Sequence, residues 1–260
     1  MELKSKIIAI VGGMGPASGE FLQNLLFNEM RNNFHIEKDQ DYTDIIHFSF
    51  GSEIPDRTSF LEGKINLNPA FPVFKIFQQL EKLAKTYKRP IVACIACNTF
   101  FAKPILKEFL ALWDREYFEY LQYLNLVEAT VNFIKTQFSS GDKIGILTTS
   151  GERKLKVYQD LLENVGVEVL YLDLANQQKL HQAIYKVKTD PFHSMNAHET
   201  ILKGVQLLLS QGAKRVLLGC TEISLVINQY GFNPSYHIDP LRIVAQVALQ
   251  ETSHILHQKL

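Results

Sequence analysis

The chain has 260 residues, which suits one large domain or two domains of roughly 100–150 residues, each with its own core. Lys plus Arg equals Asp plus Glu at 27 each, so no net field draws the protein to nucleic acid or to an anionic membrane, and the expected partner is a small molecule. The amino-terminal apolar run Ile7 to Val11 is shorter than a signal-peptide core and no stretch approaches a membrane span; with three cysteines, an odd number, this argues for a reducing compartment and a cytoplasmic location.

Lys6 to Val11 reads as a β-branched strand that stops at Gly12-Gly-Met14-Gly-Pro16, and an amphipathic helix follows with Phe21, Leu22, Leu25 and Leu26 on one face. The glycine spacing is not that of a dinucleotide fingerprint. It fits a tight turn or a small-anion site equally well. Asp44 to Phe50 reads as a second strand, and Arg57 follows in the loop that leaves it, where a guanidinium at a cleft rim would bind a carboxylate by two parallel bonds. A helical pattern runs from Pro69 to Tyr87. The central strand then runs Ile91-Val-Ala-Cys94-Ile-Ala-Cys97 into Asn98-Thr99, followed by an apolar helix around Pro104 and Leu110. The aromatic stretch from Trp113 to Tyr123 reads as a hinge or an interface.

The second half starts again. Lys143 to Thr149 is a strand, Thr149 or Ser150 caps a helix through Tyr158 and Leu162, and Val167 to Tyr171 is the next strand. Helices are expected over Asn176–Val187 and His198–Gln211, the latter stopped by Gly212. The strand Val216-Leu-Leu-Gly-Cys220-Thr221-Glu222 repeats the earlier design, and Tyr236 to Pro240 leads into a last helix. Alternating strands and helices imply parallel sheets. The expected fold class is α/β, with two pseudo-symmetric parallel-sheet domains facing an interdomain cleft. Residues 1–120 plus 231–260 would form the domain carrying Cys97, and residues 121–230 the domain carrying Cys220.

Two cysteines at two strand ends, each followed by small polar residues, point to proton transfer. A thiolate is a suitable base for an α-proton because neighbouring N–H donors lower its pKa toward neutrality, and stereoinversion needs a base on one face and an acid on the other. Backbone N–H groups near Asn98, Thr99 and Thr221 would hold the α-carboxylate. A single buried cysteine is more often an inert hydrophobe, and Cys94 fits that description. Cys94-x-x-Cys97 also spells a redox or metal pair, but no second pair completes a zinc site. Glu222 reads equally as a helix-cap carboxylate or as a group orienting Cys220 and an ammonium.

The ordered set Gly12-Gly-Met14-Gly-Pro16, Ile54-Pro-Asp-Arg57-Thr58, Cys97-Asn-Thr99, Tyr158-Gln159, Gly219-Cys-Thr-Glu222 and Ile238-Asp-Pro240 resembles the cofactor-independent aspartate/glutamate racemase superfamily, and within it the aspartate racemases. The resemblance implies a homodimer, no pyridoxal phosphate or other cofactor, no metal, and Cys97 and Cys220 as the acid/base pair. It also implies Arg57 on a side-chain carboxylate, Asn98, Thr99 and Thr221 on the α-carboxylate, and Met14, Lys188 and Glu222 as further substrate-binding residues. Glutamate at position 222 is similar to the aspartate branch, since glutamate racemases usually carry histidine there. Two departures stand out. Phe100-Phe101 replace the Ala-His that commonly follows the first thiol motif, which opens the substrate range, and matching Lys188 rather than Lys186 to the family's lysine requires a one-residue gap. The competing readings are a related isomerase or racemase on another small carboxylate or a hydantoin, and an inactive carboxylate-binding protein.

Overall fold

The computed structural model describes residues 6–253. The first half runs β1 (Ile7–Gly12), α1 (Pro16–Asn33), β2 (Ile45–Ser49), α2 (Arg57–Leu61), α3 (Ala70–Tyr87), β3 (Ile91–Ile95), α4 (Lys103–Trp113), β4 (Leu121–Leu124) and α5 (Leu126–Gln137). The second runs β5 (Lys143–Leu147), α6 (Ser150–Lys154), α7 (Gln159–Asn164), β6 (Glu168–Leu170), α8 (Leu174–Thr189), α9 (Met195–Ser210), β7 (Arg215–Leu218), α10 (Thr221–Gln229), β8 (His237–Ile238) and α11 (Pro240–Ser253).

The strands form two sheets of the same design, ordered β2-β1-β3-β4 and β6-β5-β7-β8, with every pair parallel. In each sheet the chain leaves the first strand to one side and returns on the other. The loops after β1 and β3, and after β5 and β7, therefore flank a switch point, where a parallel sheet opens a crevice at its carboxyl edge. The α/β architecture expected from the sequence is present. Among the described residues, no helix is long and apolar enough to cross a membrane.

The aromatic stretch resolves differently from a hinge. Leu121–Leu124 is a strand, paired with β3 in the register Ile91↔Leu121, so the first sheet continues past residue 120. Apart from the exposed Tyr117, its rings pack against the core: Trp113 stands against Phe77, Phe109, Phe118 and Tyr123 at centroid distances of 5.7, 5.9, 4.4 and 5.0 Å. Phe100 stands edge-on to Phe109 at 5.5 Å. The expected single helix after Thr149 is broken into α6 and α7, because Lys156 takes a left-handed conformation with φ 53°. That break leaves Tyr158 outside regular helix, with its ring fully buried. One apolar core spans the first sheet and reaches Ile144, Tyr158 and Leu217 of the second half; another lies between β7 and helices α8, α9 and α10. Strand β8 pairs with β7 in the second sheet, whereas α11 packs back on α1 and α5.

Phe109 touches five other rings and has no exposed surface. Phe109→Ala should cost about 3–5 kcal/mol through lost burial and a residual cavity. Urea unfolding followed by far-UV circular dichroism measures it, and a loss below about 1 kcal/mol would contradict this placement of the core.

Candidate active site

The loops after β3, β5 and β7 converge with the start of α2 and with α8 on one small cleft lined by Asp56, Arg57, Thr58, Cys97, Asn98, Thr99, Thr149, Lys188, Cys220, Thr221 and Glu222. Cys97 follows β3 and Cys220 follows β7, at equivalent places in the two sheets. Their immediate surroundings differ. Cys220 is the N-cap of α10 itself, whereas Cys97 leads through Asn98 into one turn of 3-10 helix, Thr99–Phe101, before α4 begins. Both thiols are free and almost fully buried.

Arg57 is the first residue of α2, whose N-cap Asp56 accepts a hydrogen bond from the Ser59 N–H at 2.7 Å. The guanidinium is 6% exposed and donates through Nη1 to the Pro55 carbonyl at 3.2 Å, leaving its buried Nε without a partner. Burial opposes the charge on Arg57, but Cys97, Asp56 and Glu222 around it outweigh burial and raise its pKa. Asn98 accepts a 2.5 Å hydrogen bond from the Tyr158 hydroxyl through Oδ1, so its buried Nδ2, which has no partner, is fixed in orientation. Two buried donors in one cleft without acceptors are what an anionic ligand would satisfy.

The opposite wall is already satisfied. Glu222 Oε1 accepts from Lys188 Nζ at 2.5 Å, and Oε2 accepts from Cys220 Sγ at 2.9 Å and from the Thr221 hydroxyl at 3.3 Å. Burial favours a neutral Glu222, but the Lys188 ammonium prevails and holds its carboxyl below the usual range. Lys188 is raised in turn: burial works against its charge, and Glu222 outweighs burial. Burial first, and then the Glu222 anion, push the Cys220 thiol well above its ordinary value. Cys94, inside β3 and fully buried, is pushed up to about 12 by burial alone, consistent with an inert core residue.

Residues 11–248 match the family described as Asp/Glu/hydantoin racemase. The chain belongs to this family. Its fold is similar to that of aspartate racemase from Picrophilus torridus, at TM-score 0.74 and 20% identity, covering 98% of this chain and 100% of that one. An aspartate racemase homologue from Pyrococcus horikoshii OT3 follows at TM-score 0.68 and 21% identity, covering 95% and 99%. Glutamate racemase from Francisella tularensis, solved in complex with D-glutamate, matches at TM-score 0.57 and 15% identity over 99% of this chain and 83% of that one.

Within this racemase-family fold, the expected residues Cys97, Asn98, Thr99, Arg57, Lys188, Cys220, Thr221 and Glu222 all line the cleft. Met14 does not: its side chain is fully buried in the first core, and no residue of the glycine turn is among those lining the cleft. Phe100 and Phe101 are likewise turned into the core and leave the cleft wall polar. Lys188, not Lys186, reaches the site, since α8 turns Lys188 toward Glu222. Ser18 and Glu152 belong to none of the motifs; Thr149 reads from sequence as a helix cap and Tyr158 as part of the Tyr158-Gln159 motif, without a site role for either. Glu152 lies fully buried beside Thr148 and Tyr158, and burial outweighs these neighbours to push its pKa up to about 7.

The Lys188–Glu222 pair carries a definite pH dependence. Glu222 has a folded pKa below its ordinary 4.5, so its contribution to stability is present above that pH and is lost as pH falls through the folded value. Lys188 is raised above its ordinary 10.5, so its contribution is present below that pH and is lost in strong alkali. Lys188→Met leaves the buried carboxylate unneutralised and should cost about 3–5 kcal/mol at neutral pH. Without the ammonium, burial raises the Glu222 pKa, so the deficit should shrink as pH falls toward the carboxyl range. Urea midpoints at neutral and mildly acid pH test both statements, and a pH-independent deficit would refute the second.

Proposed function

We propose that this chain is a cofactor-independent amino-acid racemase that interconverts L- and D-aspartate, or a close acidic relative, by proton transfer between Cys97 and Cys220. The observation that carries the reading is the pair of thiols at equivalent strand ends of two pseudo-equivalent sheets, lining one cleft. One cysteine, as thiolate, takes the α-proton and becomes a thiol. The other thiol delivers its proton to the opposite face of the α-carbon and becomes the thiolate. The two sulfurs thus end each turnover with exchanged protonation states, ready for the opposite enantiomer.

The α-carbanion is the costly species, and positive charge and N–H donors aimed at the carboxylate lower its energy. Asn98 Nδ2 and the Arg57 guanidinium are the donors left open for carboxylates, and Lys188 adds positive charge on the Glu222 side. A cleft lined by charged, hydroxyl, amide and thiol groups, with no apolar side chain other than the cysteines, supports a small acidic substrate over an apolar one.

Proton NMR of L- and D-aspartate in deuterium oxide, without added cofactor, tests the reading; glutamate and a 5-substituted hydantoin complete the panel. Loss of the α-proton signal from both enantiomers of aspartate is expected. Cys97→Ser and Cys220→Ser should each lower racemisation by roughly 100-fold to 10,000-fold, the usual share of a positioned acid or base. Arg57→Gln should raise KM for aspartate. Full activity in either cysteine variant would defeat the mechanism.

A further inference from the structure

The second thiol is governed by residues of the opposite lobe. We propose that Ser18 and Gly15, both in the first lobe, are positioning residues that seat the second-lobe carboxylate of Glu222, so that docking of the lobes determines how firmly Cys220 keeps its proton. The inference rests on the reading of Cys220 as one of the two proton carriers, and it adds residues that lie outside the cleft lining.

Ser18 lies in the first turn of α1 and has no exposed surface. Its hydroxyl donates to Thr221 Oγ1 at 2.8 Å, across the lobe junction. Thr221 is thereby oriented to donate its own proton to Glu222 Oε2 at 3.3 Å, the same oxygen that accepts from Cys220 at 2.9 Å. A three-step chain therefore runs from the first lobe to the second thiol.

Gly15 acts from the other side. It is the N-cap of α1, held at φ 110°, and a Cβ built on it would stand 2.2 Å from Glu222 Oε1. Only a residue without a Cβ lets that carboxylate approach the N-terminal end of α1, where free N–H groups and the helix dipole favour an anion. The charged and titratable groups facing Glu222 and Cys220 are Lys188 from α8, Arg57 from the start of α2, and Cys97 from the loop after β3. Displacing Glu222 removes an anion from Cys220 and releases the Lys188 ammonium. Both changes make the Cys220 thiolate easier to form.

The test follows the two thiols directly, in protein labelled with 13Cβ-cysteine and titrated by NMR without substrate, with signals assigned from Cys97→Ser and Cys220→Ser. Glu222→Gln sets the largest expected effect, a fall of about one pH unit or more in the Cys220 midpoint, equivalent to about tenfold in its ionisation constant. Gly15→Ala should approach that shift. Ser18→Ala should move the midpoint in the same direction by less, and both should leave the Cys97 midpoint in place. If Gly15→Ala fails to fold, Ser18→Ala alone decides. A Cys220 midpoint unchanged in Ser18→Ala, or a Cys97 midpoint that moves equally, would overturn the proposal. Because no turnover is measured, absence of racemisation in the unaltered protein would defeat the proposed function and leave this result interpretable.

Discussion

A carboxylate buried between two lobes must be neutralised and hydrogen-bonded, or it will not stay ionised. Glu222 meets that requirement with partners drawn from two elements, Lys188 on α8 and Cys220 and Thr221 at the start of α10, while Gly15 before α1 packs against it from the facing lobe. Its 1% exposure means that none of these partners is replaceable by bulk water at small cost. The geometry of the second thiol follows from this one group. So does part of the lobe docking, because the α1 turn fits against Glu222 only where residue 15 has no side chain. The other junction contacts reinforce it: Tyr158 to Asn98, and Tyr185 to Asp56 at 3.0 and 3.2 Å.

The repeated sheet order explains why a cleft exists and why two thiols share it. Each sheet opens at its switch point, and two such openings facing one another enclose a small volume lined from the loops after β3, β5 and β7, the start of α2 and α8. Pseudo-symmetry of the backbone does not extend to the charges. Cys97 has the Arg57 guanidinium close by, while Cys220 has the Glu222 carboxylate, so the two sulfurs meet different electrostatic surroundings in one cleft. A two-base reaction needs one sulfur protonated and one not. Burial and the Glu222 anion favour the protonated thiol at Cys220.

Much of this was legible in the sequence. The strand ends at Cys97 and Cys220 announced themselves as apolar runs that stop at a cysteine and small polar residues, and period and caps located most helices. Strand β4 was hidden because Leu121-Gln-Tyr-Leu124 is short and sits inside an aromatic stretch whose rings serve the core, so composition masked its alternation. The break between α6 and α7 was hidden because no glycine or proline marks it; a lysine takes the left-handed conformation instead. Met14 lay in a matching motif, yet a motif does not say which way a turn points its side chain. Ser18 gave no signal, and the Tyr158-Gln159 motif indicated no site role, because their partners, Thr221 and Asn98, are remote in sequence and meet them only when the two lobes dock.

Phe100 and Phe101 illustrate how packing bears on selectivity. Read in sequence, two phenylalanines beside the first thiol suggest an apolar pocket, but the 3-10 turn that carries them directs both rings into the aromatic core. What remains at the cleft is a pair of buried donors, Arg57 Nε and Asn98 Nδ2, with no acceptor in the protein. An acidic substrate supplies acceptors to such groups. An apolar amino acid of the same size would leave at least one of them desolvated and unpaired, at about 1–3 kcal/mol for each group. Sites built to hydrogen-bond a ligand reject analogues that lack the matching group far more strongly than apolar pockets reject a missing methylene. For the proposed racemase, the penalty on a ligand without a side-chain carboxylate would fall on Arg57, while the Tyr158 hydrogen bond holds the Asn98 amide in place for the α-carboxylate that every amino acid carries.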